Sequence, residues 1–188
     1  MTATMTKPEM INGLNVQLLR DAIAEVRSNP GAGHTHWSAT TRWKGGTLSE
    51  TSVEGCQLGD QWIERKFTFR TDEPEQLGGT NLFANPQEYL LGSLNACMTV
   101  GYVAAASLFG ITLESLEIES KGEIDLRGFL GLSDKVKPGY DEIHYTVRIK
   151  GNGTPAQFAE IHEIVKKTSP NRFNLSQPIT LTDQLIVE

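Results

Sequence analysis

An α+β fold built on antiparallel sheet is predicted by three observations. Extended stretches rich in Trp, Thr, Val and Ile come in runs rather than alternating one for one with helices. One long segment, Tyr89 to Leu113, contains no charged residue and opens with helix-start signals. A second amphipathic helix follows the later strands and opens with signals of the same kind.

Taken in order, Leu14, Leu18, Ala22, Ile23 and Val26 recur at helical spacing until Ser28-Asn29-Pro30-Gly31 breaks the pattern, which predicts a short amphipathic helix. Three strands are expected next, at about 36–43, 47–53 and 61–70, separated by Gly45-Gly46 and by the glycines at 55 and 59. The long helix then starts at Asn85-Pro86-Gln87-Glu88, where Asn85 suits the N-cap, Pro86 the first turn and Glu88 the third position of a capping box. Gly110 supplies its stop. Strands at 115–126 and 143–150 follow, joined by a long connection containing Phe129, Leu130 and Leu132. Thr154-Pro155-Ala156-Gln157 is a second capping box, and Phe158, Ile161, Ile164 and Val165 form the apolar face of the helix it opens. Ser169-Pro170 ends that helix, and a last strand is expected at 179–187, giving the order α-βββ-α-ββ-α-β.

With 188 residues the chain can bury one ordinary core. A hydrophobic share of 38% and a charged share of 21% are globular values. The net charge of −6 and the lack of clustered Lys and Arg beyond Lys166-Lys167 argue against nucleic acid as a partner. The N-terminal stretch lacks the basic start and cleavage pattern of a secretory signal, so a cytoplasmic protein is expected. The long helix has the length of a membrane span, yet Gly92, Ser93, Asn95, Thr99, Gly101 and Ser107 dilute it and its flanks are acidic, so no membrane is expected. Cys56 and Cys97 show no CxxC spacing, and His34, His36, His144 and His162 have no metal-ligand spacing; no metal and no cofactor are expected.

Chemistry is concentrated on Cys97. Ser93, Cys97, Gly101 and Ala105 lie four apart on one helical face, and small residues there admit a second helix or a partner subunit. A small buried cysteine is the plain alternative. Cys56 is assigned to a turn of the first sheet.

The run Asn85-Pro86-Gln87-Glu88-Tyr89-Leu90-Leu91, Cys97 in the same helix, Gly128-Phe129-Leu130-Gly131-Leu132, Pro138-Gly139-Tyr140 and Ser169-Pro170 together resemble the OsmC/Ohr family, over about Trp43 to the C-terminus. The resemblance implies residues 34–188 as an OsmC-like domain, with 1–33 as an N-terminal helical extension. It implies an intertwined homodimer, with sheet wrapped around two long central helices and a site at each subunit interface. It also implies thiol-based reduction of organic hydroperoxides, in which a thiolate attacks the O–O bond, an Arg held by a Glu assists, and a second cysteine closes a disulfide that an external thiol reopens.

Position by position, Cys97 stands where the attacking cysteine is expected. Gln87 replaces the Glu, and can hydrogen-bond but cannot ion-pair with Arg. Ser169 replaces the second cysteine, and Thr47-Leu48-Ser49 occupies the usual place of the Arg, leaving Arg42, Arg65 and Arg70 as nearby substitutes. Cys97, Gln87 and Arg42 are therefore the candidate catalytic set, and Leu90, Leu94, Met98, Phe129 and Leu130 the candidate substrate-binding set. Two readings follow. One is a peroxide reductase of diverged site, using Cys97 alone with a small hydrophobic peroxide and an external thiol. The other is a non-catalytic module that holds a small apolar ligand in the same crevice.

Overall fold

A computed structural model describes residues 9–187 of the chain; residues 1–8, part of the expected N-terminal extension, and Glu188 lie outside it. The chain divides into two compact units, Met1–Leu91 and Gly92–Glu188.

The first unit opens with a hairpin that the helical periodicity of Leu14 and Leu18 hides. β1 (Met10–Ile11) pairs antiparallel with β2 (Leu14–Asn15) across Asn12-Gly13, both at positive φ. Helix α1 (Val16–Ser28) follows, and the Asn15 side chain caps it by accepting the Leu18 N–H at 3.1 Å. Only Val16 of α1 is buried, so Leu18, Ile23 and Val26, its apolar face, lie exposed.

Four strands, not three, make the sheet of this unit: β3 (Thr35–Trp37), β4 (Thr40–Gly45), β5 (Leu48–Leu58) and β6 (Gln61–Thr71). All pairings are with β5 and all are antiparallel. Because β6 pairs with β5 from Ser49 to Leu58, β3 and β4 share its opposite edge, β3 at 56–58 and β4 at 48–52. The expected single strand at 36–43 is thus cut in two at Ser38-Ala39. A register shift between Val53 and Gly55 marks a bulge, and a Cβ at Gly55 would lie 2.4 Å from the Trp62 ring, so only glycine fits.

After β6 the chain is tied down by Asp72, whose carboxylate is 1% exposed. It accepts the Thr47 hydroxyl at 2.5 Å, the Thr80 N–H at 2.8 Å and the Thr80 hydroxyl. These bonds fix the loop that delivers Asn85. There the expected capping box forms: Glu88 N–H to Asn85 Oδ1 at 2.8 Å, and Asn85 N–H to Glu88 Oε2 at 2.7 Å.

Helix α2 (Pro86–Leu108) runs from the first unit into the second and ends before Gly110, which takes φ 71°. By length and composition it could cross a membrane, yet it serves as the core helix of the second unit. Here Leu94, Met98, Tyr102, Ala105 and Ala106 pack with Ile111 and with Ile161 and Val165 of α4 (Pro155–Thr168). The helices cover one face of a two-stranded antiparallel sheet, β7 (Leu113–Gly122) with β8 (Ile143–Gly151), which contributes Leu116, Ile118, Tyr145, Val147 and Ile149. Each large apolar side chain so buried contributes about 1.5–3 kcal/mol. Asn95 rivets α2 to the sheet, donating to Ile118 O at 3.1 Å and accepting from Ser120 Oγ at 2.5 Å.

The connection between β7 and β8 contains one short helix, α3 (Leu126–Phe129), capped by Asp125. The Thr154 capping box of α4 is present as expected. Ser169-Pro170 ends α4 but also starts a further helix, α5 (Pro170–Ser176), with Ser169 as N-cap and Pro170 at its first position. The last expected strand does not form: residues 178–187 carry no regular structure. A strand exists through its ladder, and among the described residues none pairs with this segment. Its alternating apolar residues, Ile179, Leu181 and Leu185, are left exposed.

Candidate functional site around Cys97

Along α2 the small-residue row meets the second half of the unit rung by rung. Ser93 O accepts the Asn171 side-chain N–H of α5 at 3.0 Å. Cys97 Sγ lies 3.3 Å from Ser169 Oγ at the α4–α5 joint. A Cβ at Gly101 would lie 3.3 Å from Val165 Cγ2 of α4. Ala105 completes the row in the core. Small side chains are what let α2 come this close, and the thiol is placed at the one rung where α4 hands over to α5.

Cys97 is half-buried, so it is shielded from bulk solvent without being sealed. Ser169 is 5% exposed. Its N–H donates to Val165 O at 3.0 Å, closing α4, while its Oγ accepts the Arg172 N–H at 3.4 Å, opening α5. The Arg172 guanidinium donates to Tyr145 Oη at 3.0 Å and to Lys166 O at 2.8 Å, clamping the joint to β8 and to the end of α4. One turn beyond Cys97, the Tyr102 hydroxyl meets His162 Nδ1. Burial, and then the neighbouring Tyr145 and Glu163, push Tyr102 up to about 12, so its hydroxyl keeps its proton at neutral pH.

The other candidate residues are placed differently. Gln87 is exposed in the first turn of α2, where Glu88 is committed to the cap. Arg42 is exposed on β4 and donates to Ser52 Oγ at 3.3 Å. Arg70 pairs with Glu50 at 2.9 Å, and Arg65 lies 5.1 Å above the Phe67 ring. Within the first unit each of these arginines thus has a partner of its own. Leu90 is half-buried, and Phe129 and Leu130 are 68% and 56% exposed.

Two placements correct the sequence reading. Leu94 and Met98 do not line an open crevice: both are core residues under the β7–β8 sheet, because they fall on the α2 face that Asn95 turns toward β7. Cys56 is not in a turn. It lies inside β5, opposite Trp37 and Ile63, and is 2% exposed. A groove of about 850 Å³ does exist in the second unit, but Glu123, Asp125, Lys135, Lys137 and Asp141 make its lining polar, and it contains none of the candidate substrate-binding residues. Among the described residues no cluster of three or more His, Cys, Asp or Glu could hold a metal ion.

Sequence reasoning missed Tyr145 and Arg172, whose meeting depends on a joint between two helices. A signal for that joint was present: Ser169-Pro170 is an N-cap followed by a first-turn proline, the same grammar that opens α2 and α4.

A helix with a central cysteine, packed against a second helix whose end meets that cysteine, and antiparallel sheet on the other side define an α+β protein of the OsmC class. Residues 79–182 match the family model described as OsmC-like protein, and the chain belongs to that family. Among solved structures it is similar to an OsmC-like protein from Mycoplasma pneumoniae, at 18% identity and TM-score 0.59, covering 75% of this chain and 87% of that one. It is also similar to a putative osmotic stress induced and detoxification response protein from Psychrobacter arcticus 273-4, at 14% identity and TM-score 0.55, over 73% of this chain and 86% of that one. A third is an OsmC-like protein of unknown function from Vibrio cholerae, at 14% identity and TM-score 0.53, over 73% and 91%. At these identities the likeness is one of fold. No curated protein matches the chain.

Proposed function

We propose that this protein reduces small apolar hydroperoxides through Cys97 alone, in a cycle closed by an external thiol. The observation that supports this is the contact of Cys97 Sγ with Ser169 Oγ at 3.3 Å. These are the two positions at which the family resemblance expects the attacking and the second cysteine, and they meet here with one thiol retained and the other replaced by a hydroxyl.

In the first step the Cys97 thiolate attacks the distal peroxide oxygen, the O–O bond breaks, and the alcohol leaves with a proton, giving Cys97 sulfenic acid. An external thiol then condenses with the sulfenic acid, releasing water and forming a mixed disulfide. A second external thiol attacks that disulfide and frees Cys97. Ser169 cannot form a disulfide, so the reductant must reach Cys97 itself, and half-burial leaves a way in. A cytoplasmic setting, where small thiols are kept reduced, suits such a cycle.

The working unit under this reading is a homodimer. Gly92, Ala96 and Val100 lie four apart on α2 and are exposed, Val100 by 69%, so an uncharged helical face remains for a second copy to cover.

The test is consumption of cumene hydroperoxide by the purified protein with dithiothreitol. Turnover is expected in the wild type and in Cys56→Ser, and lost in Cys97→Ser; equal rates in all three would overturn the proposal. The exposed Phe129, Leu130 and Leu132 favour a second reading, an apolar-ligand carrier without turnover. Native mass spectrometry of protein taken from cells would show its cargo as a bound mass.

A further inference from the structure

The Ser169 hydroxyl is used twice, by different parts of the group. As N-cap of α5 it accepts the Arg172 N–H at 3.4 Å through a lone pair. Its one proton is left over, and Cys97 Sγ at 3.3 Å is the partner placed to receive it. With Ser169 only 5% exposed, water has little access to compete for that proton. Once Cys97 loses its own proton the sulfur can only accept, so the direction of the bond is settled by chemistry: the hydroxyl donates. A hydrogen bond to an anion is shorter and stronger than one to a neutral group, so this contact gains strength as the thiolate forms.

Its geometry is fixed from both sides. The Ser169 N–H is held by Val165 O at 3.0 Å, and the residue three positions on, Arg172, is held by Tyr145 Oη and Lys166 O at 3.0 and 2.8 Å. Rotation of α5 about the joint would break both Arg172 bonds.

We propose that Ser169 is the hydrogen-bond donor that stabilises the Cys97 thiolate, with Arg172 as the positioning residue that holds the hydroxyl in place. The proposal rests on the reading of Cys97 as the reacting group. Ser169 keeps its proton throughout, and no bond to it is made or broken.

Alkylation of Cys97 by iodoacetamide, followed by peptide mass spectrometry from pH 5 to 10, tests this without any peroxide. Ser169→Ala is expected to slow alkylation at pH 7 by about tenfold, the scale of one hydrogen bond to a charged group, and to move the pH midpoint upward. Ser169→Thr, which keeps the hydroxyl, is expected to restore the wild-type profile. Ser169→Gly removes the hydroxyl without adding charge, and glycine is well accepted at an N-cap, so it should be as slow as Ser169→Ala. This variant separates capping from donation should Ser169→Ala unfold. Arg172→Met is expected to shift the profile in the same direction as Ser169→Ala, by less.

Superimposable profiles for wild type and for a folded Ser169→Ala or Ser169→Gly would overturn the proposal. A shifted profile in a protein that consumes no hydroperoxide would uphold the role of Ser169 and defeat the peroxidase reading.

Discussion

Val165 occupies the space that a side chain at Gly101 would need: a Cβ built there lies 3.3 Å from Val165 Cγ2 and 3.4 Å from Cγ1. Val165 is buried and β-branched, so it has little room to turn away. The approach of α2 to α4, and with it the meeting of Cys97 and Ser169 one turn away, depends on that missing side chain.

Gly101→Val should therefore destabilise the protein by about 1–3 kcal/mol, the usual cost of overpacking a filled core. Denaturant unfolding would measure it. An unchanged midpoint would mean that the helices do not pack at this rung as described.

Tyr102 gives an alkaline prediction. An unfolded tyrosine ionises near about 10, whereas burial holds Tyr102 at about 12. A folded-state value above the unfolded one means that the contribution is fully present below about 10 and is lost as pH rises through about 12. Unfolding midpoints of wild type and Tyr102→Phe, compared from pH 8 to 12, should show the wild type losing more of its stability across that window. Parallel curves would contradict the assignment.

Asp72 gives the acid counterpart. The Thr47 hydroxyl, then the Thr80 hydroxyl and N–H, hold its carboxyl well below the usual carboxylate range. A depressed folded value makes its contribution present above about 3.9, the unfolded value, and lost as pH falls through the folded one. Asp72→Asn should lower the melting temperature at pH 7, because an amide nitrogen would face a hydroxyl or N–H donor. It should also flatten the loss of stability between pH 5 and pH 2. An equally steep acid limb in the variant would count against this account.

The features legible in the sequence were those set by near neighbours. Asn85 with Glu88 and Thr154 with Gln157 close boxes three residues long, and Gly110 stops α2 through its own backbone angle, so residue types alone declare them. The expected α+β class, the long uncharged helix and the row from Ser93 to Ala105 stand for the same reason. Features that need a distant partner were not legible. Alternation at 179–187 is a strand's pattern, but a ladder needs a second edge, and among the described residues this segment has none. Leu94 and Met98 were given a crevice because helical spacing says which residues share a face and not what covers it. The β1–β2 hairpin was readable after all, since Asn12-Gly13 is a strong two-residue turn signal, but the neighbouring helix pattern masked it.

That one sulfur takes the oxygen is tested most directly by the mass of Cys97 after a single equivalent of cumene hydroperoxide. A peptide containing Cys97, trapped with dimedone, is expected to carry the sulfenic-acid adduct within one turnover; dithiothreitol added before the dimedone is expected to prevent the adduct, and Cys56 is expected to stay unmodified. Hydroperoxide that disappears while Cys97 remains an unmodified thiol, or a protein that leaves the hydroperoxide intact, would contradict it.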